Sequence, residues 1–328
     1  MPFPLAHGGA QTQIEQTKTA LEKMGMEVEF LRWWDGKQRG DLIHFFGVPR
    51  TEYLQQAHTV KMPVVVTQLF TETCNRSDAQ LLRQGFLIKA ALALPFGNGI
   101  KRQLTWNVYR NCDQNIVGLE AERRVLQTVY GVSPEKISIV PLGLSENYLR
   151  AGRGLRNETH LICTGTITQR KNSVELAELA HEADVPVLFV GKPYSPGDPY
   201  WLRFKDLIDD RRVKYHPFVG TEAEMISLLQ SARGFVLMSR YENWCLSAHE
   251  AAACGLPLLV QNQKWSQERF GNGVHYFETI GFGRRNAEIL RKFWEDAPAL
   301  AAPGTKLHGW DEVAQKLKTI YGQAATPH

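Results

Sequence analysis

The sequence predicts an α/β protein of two domains, each a parallel sheet flanked by helices. Three observations lead there. The 328 residues are more than one compact core usually holds. Short β-branched runs alternate with helical patterns almost throughout. A polar stretch, Ala151-Gly-Arg-Gly-Leu-Arg-Asn157, then divides that alternation in two and reads as a linker.

Taken in order, Thr12 to Lys23 is predicted helical, because Ile14, Leu21 and Met24 fall near one stripe and Gly25 offers a C-cap. Strands are predicted at Glu27 to Leu31, Asp41 to Phe46, Pro63 to Thr67, Gln114 to Val117 and Ile137 to Pro141. After the polar stretch, strands are predicted at His160 to Cys163, Pro186 to Val190, Val213 to Tyr215, Gly234 to Met238 and Pro257 to Val260. Helices near Ser173 to Ala183, Tyr200 to Ile208, Glu222 to Gln230 and Leu246 to Cys254 separate them, and Trp310 to Tyr321 is amphipathic. The expected layout is one Rossmann-like domain over 1–150, a second over 151–308, and a terminal helix over 309–328, with the two sheets facing across a cleft.

Composition narrows the function classes. With 43% hydrophobic and 22% charged residues, Gly 27 and Pro 16, the chain has globular rather than disordered or collagen-like character. The longest apolar run, Phe86 to Phe96, is broken by Lys89 and Pro95 and is too short to span a bilayer. The start lacks a basic segment followed by an apolar one, so a cytoplasmic protein is expected. Five cysteines, spread apart and never in C-x-x-C, argue for reduced thiols rather than a disulfide frame or zinc site. The net charge of +4 suits an anionic small ligand or a membrane surface and does not call for nucleic acid.

In open parallel sheets ligands gather beyond the carboxyl ends of strands, so chemistry is sought just after them. Ser239-Arg-Tyr-Glu242-Asn243-Trp244-Cys245-Leu246 leaves the strand ending at Met238 and enters a helix carrying Glu250 and closed by Gly255-Leu-Pro257. Free amides around Asn243 to Leu246 suit a phosphate, and the Glu250 carboxylate suits a ribose diol. The second segment, Cys163-Thr-Gly165-Thr-Ile-Thr-Gln-Arg170-Lys171-Asn172, delivers two adjacent cations where a helix begins. Such a pair suits a departing diphosphate, whose charge grows as its bond to a sugar breaks. A third, His7-Gly8-Gly9, allows close backbone approach to an anion. No Walker A, G-x-G-x-x-G or G-x-S-x-G motif is present, and no His/Cys/Asp cluster has ligand spacing, so no metal or cofactor is expected. His44, in an apolar strand, reads as a satisfied residue rather than a ligand.

Together these segments resemble the retaining GT-B glycosyltransferases of group 1, also called family 4. Residues 165 to 172 are similar to that family's G-T-x-x-x-R-K-N variant, Glu242 to Pro257 matches E-x7-E-A-x-A-x-G-x-P, and Val140-Pro-Leu-Gly143 looks like the end of its acceptor domain. The resemblance implies transfer of a sugar from a nucleotide-sugar donor to a hydroxyl acceptor, in glycan biosynthesis. Glu250 would hold the ribose, Glu242 the donor sugar's hydroxyls, Arg170 with Lys171 the pyrophosphate, and Gly8 and Gly9 the phosphate side from the other domain. Residues 309–328 would cross back to the first domain.

Three departures are visible. Glu242-Asn-Trp-Cys245 replaces the family's Glu-Gly-Phe-Gly, which should narrow the donor pocket. After the strand ending at Thr67 stands Gln68, where many members have histidine, and only six residues precede His7, leaving little room for a first central strand. These departures keep two alternatives open: a catalytically silent nucleotide-sugar-binding protein, or a sugar-nucleotide epimerase on the same fold. For the acceptor, a saccharide or lipid-linked molecule is expected, and the apolar and basic residues around Phe86, Leu87 and Lys89 also fit peripheral contact at an inner membrane face.

Overall fold

The computed structural model describes residues 9–32, 34–70, 72–93, 105–155, 159–278 and 283–325. The chain forms two compact units, Gln13–Leu142 with Trp310–His328, and Gly143–Gly309 grouped with Met1–Thr12. The first contains α1 (Gly9–Lys23, which begins just before it), β1 (Ile43–Phe46), α2 (Thr51–Thr59), β2 (Val64–Thr67), α3 (Asp78–Ala93), α4 (Val108–Asn111), β3 (Gln114–Val117), α5 (Glu120–Tyr130) and β4 (Ile137–Ile139). The second runs β5 (Gly143–Leu144), α6 (Glu146–Ala151), β6 (Leu161–Thr164), α7 (Ser173–Ala183), β7 (Val187–Val190), α8 (Pro199–Lys205) and β8 (Val213–His216). It continues through α9 (Glu222–Ser231), β9 (Gly234–Leu237), α10 (Leu246–Ala253), β10 (Leu258–Gln261), α11 (Lys264–Phe270), β11 (His275–Phe277), α12 (Arg284–Asp296) and β12 (His308–Gly309). The terminal helix α13 (Trp310–Ala325) lies in the first unit.

Among the described residues the first unit's sheet has the order β1-β2-β3-β4, all parallel. Strand β2 explains why both its faces must be covered. Val64 and Val66 pack with Leu54, Ala57, Val108 and Cys112, whereas Val65 turns to the other face, against Ala20 and Leu21 of α1 and Val313, Leu317 and Ile320 of α13. A strand whose alternate side chains both meet apolar helices reads as a continuous hydrophobic run, as Val64-Val-Val does.

The expected strand at Glu27–Leu31 does not form. Its polar and apolar alternation is that of a strand, yet Phe30 and Leu31 are 45% and 54% exposed. The segment instead folds onto its own loop: Gln38 Nε2 donates to Phe30 O at 3.0 Å and Gln38 Oε1 accepts from Arg32 N at 2.7 Å. His44 is a satisfied residue, with Nδ1 2.7 Å from the Tyr321 hydroxyl and Nε2 2.7 Å from Thr67 Oγ1.

The six-stranded sheet of the second unit has the order β11-β10-β9-β6-β7-β8, again parallel throughout. Its central strands β6, β9 and β10 are buried along their whole length. Helix α7 buries Val174, Leu176, Ala177, Leu179 and Ala180, and α12 packs against it. The division between the units falls at Leu142/Gly143, where Val140-Pro-Leu-Gly143 ends, and not at residue 150. The reason is physical: Gly143 and Leu144 pair with His308 and Gly309, and Tyr148 of α6 is buried. Part of the polar stretch read as a linker is packed in place, because Gln230 Nε2 donates to Ala151 O and Gly152 O at 2.8 and 3.2 Å.

Candidate active site

Strand order fixes where two loops must meet. From β6 the chain runs outward through β7 and β8, then returns to β9 on the other side of β6 and runs outward through β10 and β11. Beyond the carboxyl ends of β6 and β9, successive connections therefore leave in opposite directions, which opens a crevice in a parallel sheet. The loop after β6 carries Gly165 to Asn172, and the loop after β9 carries Met238 to Cys245. They are bonded to each other. Arg240 N donates to Arg170 O at 2.9 Å, Asn172 Nδ2 to Met238 O at 2.9 Å, and Arg240 Nε to Asn172 Oδ1 at 3.1 Å. Asn172 takes the left-handed conformation, with φ of 51°, between the short turn Gln169–Lys171 and α7, a geometry that asparagine tolerates better than most residues.

These loops bring three of the expected site residues to one atom. Glu242 Oε1 lies 2.9 Å from Lys171 Nζ, 2.9 Å from Arg170 Nη1 and 2.7 Å from Ser239 Oγ, which donates to it. The second carboxylate oxygen, Oε2, has no bonded partner among the described residues. Burial alone would raise the Glu242 pKa, but Lys171 and then Arg170 outweigh it and hold the group at about 2. Arg170 is also raised: burial opposes its charge, and Glu242 more than compensates. Its Nη1 also donates to Tyr241 O at 2.6 Å. The Lys171 side chain is 11% exposed and that of Arg170 45%, so Arg170 is the outer cation and Lys171 the inner one.

Gly165 makes room for this arrangement. It has φ of 137°, and a Cβ there would sit 3.0 Å from both Cε and Nζ of Lys171, so the lysine lies across the face of the glycine. Cys245 precedes α10 with φ of 53°, the left-handed conformation in which the family's glycine costs nothing and cysteine is strained. Trp244 and Cys245 are buried, and Arg269 of α11 donates to Asn243 O at 2.6 Å, fixing the loop from behind. The first amides of α10, at Leu246 and Ser247, have no acceptor within the helix. Burial pushes the Cys163 and Cys245 thiols up to about 12, so neither is a nucleophile near neutral pH.

Glu250 lies in the second turn of α10, half-buried, and its side chain makes no hydrogen bond or ion pair among the described residues. Burial first and Glu222 second push its carboxyl up to about 7, while Lys171 pulls it down. Glu222 itself accepts from Ser145 Oγ at 2.9 Å and Asn147 Nδ2 at 2.7 Å. The site thus holds one ionised carboxylate clamped by two cations, with a second carboxyl poised between its charged and neutral forms. Gly9 opens α1, and Gly8 lies outside the described residues. Ser239, Asn172, Arg240 and Arg269 carry no role from sequence alone. Ser239 three residues before Glu242 and Asn172 directly after Lys171 were the available signals. Among the described residues no group of three or more His, Cys, Asp or Glu is placed to hold a metal ion.

Comparison with known proteins adds the family context. Residues 149–290 match the model of glycosyl transferases group 1. A D-inositol 3-phosphate glycosyltransferase 1 of Catenulispora acidiphila is 27% identical over 322 residues, covering 89% of this chain and 71% of that protein. The fold is similar to sucrose-phosphate synthase from Thermosynechococcus elongatus, at a TM-score of 0.63 and 18% identity over 86% of this chain and 73% of that one. It is also similar to Anabaena Alr3699/HepE in complex with UDP-glucose, at a TM-score of 0.58 and 16% identity over 87% and 77% of the two chains. Residues 149–290 are thus similar to the glycosyl transferases of group 1, and the chain has an α/β, parallel-sheet fold like that of the GT-B glycosyltransferases it resembles.

Proposed function

We propose that this chain is a retaining glycosyltransferase of family 4 that moves a sugar from a nucleotide-sugar donor, without a metal ion or other cofactor, to the hydroxyl of a saccharide or lipid-linked acceptor. The observation that carries this reading is the convergence of Arg170, Lys171 and Ser239 on Glu242 at the reversal point of the sheet. Two cations against one carboxylate leave an excess of positive charge there, which suits a diphosphate. The complex of a similar fold with UDP-glucose supports a UDP-hexose as the first donor to test, and the name of the curated relative supports an inositol phosphate as one acceptor to include.

In this reading the first amides of α10 receive a phosphate oxygen and Glu250 the ribose diol. The free Oε2 of Glu242 takes donor-sugar hydroxyls. Retention follows if the acceptor oxygen attacks from the face that the diphosphate leaves: the anomeric C–O bond to phosphate breaks, the new C–O bond forms, and the acceptor proton passes to the departing phosphate. Gln68 is not needed as a base in this scheme, and its Nε2 donates to Asn115 Oδ1 at 2.7 Å. Lys171 and Arg170 act most strongly once charge has moved onto the leaving group, which is where stabilisation raises the rate.

Lys171→Ala should lower turnover with UDP-hexose at least about tenfold while the protein still folds, with a lowered melting temperature because buried Glu242 loses its main counter-charge. An unchanged rate would reject the role given to Lys171. Proton NMR of the product reports the anomeric configuration, and an inverted product rejects retention. EDTA should leave the rate unchanged. Donor binding without transfer, or donor conversion without acceptor, would move the reading to the silent binder or the epimerase.

A further inference from the structure

We infer that Glu222 is a positioning residue for Glu250, a fixed negative charge behind the ribose carboxylate that makes donor binding weaken in acid; this rests on the assignment of the ribose to Glu250. Helix α6 builds the connection, because it packs on both α9 and α10. Ser145 stands at the N-cap position of α6, where a serine ordinarily accepts from its own helix's amides, yet it makes no such bond. Its Oγ donates instead to Glu222 Oε2 at 2.9 Å, and Asn147 Nδ2 donates to the same oxygen at 2.7 Å. Glu222 is the first residue of α9, where the helix dipole also favours a negative charge. The next residue of α6, Tyr148, is buried and interacts with both Glu250 and Glu222. Helix α6 thus fixes the carboxylate of α9 and lines the surroundings of the carboxyl on α10.

The groups that face Glu250 come from several elements. Glu222 of α9 opposes its charge and Lys171 of the loop after β6 favours it, while Tyr148 of α6 and Cys254 at the end of α10 are neighbours whose own ionisation Glu250 disfavours. Strands β5, β9 and β10, which also pack on α10, carry no ionisable side chain. Burial acts on Glu250 most strongly and Glu222 second, and against Lys171 they push its carboxyl up to about 7. Two bonds to α6 keep the Glu222 charge from swinging into solvent. A ribose diol donates two hydrogen bonds to a carboxylate, and a protonated carboxyl accepts them less well. Donor affinity therefore falls as the protonated share of Glu250 rises.

The test measures the affinity of the full chain for UDP-glucose by calorimetry across neutral pH. That probe is chosen because its diphosphate, esterified at both ends, has no phosphate proton to lose near neutrality, as UDP has. Glu222→Gln keeps an oxygen for Ser145 and Asn147 and removes the charge. Its gain in affinity over the parent near pH 6 should exceed its gain near pH 8.5 by at least about threefold, because more of Glu250 is then ionised in acid. A second readout needs no donor: in the free protein, the fall in stability from pH 5 to pH 8 should be smaller in Glu222→Gln than in the parent. Glu250→Gln should weaken UDP-glucose binding near pH 8.5. If it binds as the parent does, the ribose assignment fails and takes the proposal with it. If it binds weakly while Glu222→Gln keeps the parent's pH profile and stability slope, the proposal alone is overturned.

Discussion

Glu242 and Glu250 are carboxylates on one short stretch of chain, yet their surroundings push them in opposite directions, to about 2 and about 7. The motif and the resemblance assign Glu250 to a ribose and Glu242 to sugar hydroxyls, but nothing in either separates the ionisation of the two groups. The difference lies in Lys171, Arg170 and Ser239 on one side and Glu222 on the other, and these contacts depend on loops brought together by strand order. The difference has a consequence for stability. The folded pKa of Glu250 exceeds that of an unfolded glutamate, near 4.3, so its contribution is fully present below that value and is lost as pH rises through about 7. For Glu242 the folded pKa is depressed, so its contribution is present above the unfolded value and is lost only as pH falls toward about 2. Glu250→Gln should therefore gain stability relative to the parent between pH 5 and pH 8, as followed by denaturant unfolding across that range. A difference that stays flat with pH would show that Glu250 is not held near neutrality.

At the scale of elements, most strands were legible because buried parallel strands are β-branched apolar runs, and Gln114–Val117 and Ser173–Ala183 fall where the pattern places them. Misreadings came where the deciding partner is remote in sequence. Glu27–Leu31 has the alternation of a strand yet forms none, its end being held by Gln38 instead, and β5 and β12, two residues each, exist only by pairing with one another. The two loops at the site show the same dependence in finer form. The family's glycine where Cys245 stands is explained by the positive φ, a requirement that cysteine meets with strain. Cys245→Gly should stay within about 1 kcal/mol of the parent, since relief of strain offsets the lost thiol, whereas Cys245→Val should cost roughly 2 kcal/mol or more because a β-branched residue is an outlier there. Gly165→Ala should lower turnover beyond its effect on stability, because the new methyl meets Lys171 Cε and Nζ at 3.0 Å and displaces the inner cation. A Gly165→Ala enzyme with normal turnover would mean that the position of Lys171 is not critical.

The whole molecule divides its labour along the chain. Arg170, Lys171, Glu242 and Glu250 all belong to the second unit, whereas α13, the last segment of the chain, belongs to the first. There Val313, Ala314, Leu317, Ile320 and Tyr321 join α1 in covering Val65 and Ile116, and the Tyr321 hydroxyl reaches His44. The first unit's core therefore needs residues from both ends of the sequence, which a reading of local periodicity registers only as an amphipathic helix. Removing a single buried side chain of this kind costs about 2–5 kcal/mol, a large share of the roughly 5–15 kcal/mol that holds a domain folded. Leu317→Ala should accordingly lower the stability of the first unit by about that amount. If UDP binds as proposed, the melting shift on its addition should stay intact, because no group assigned to the nucleotide in that proposal touches Leu317. Differential scanning calorimetry with and without UDP separates the two effects. If the UDP shift disappeared while the protein remained folded, nucleotide binding would depend on the first unit's core, and the assignment of the donor groups to the second unit alone would fail.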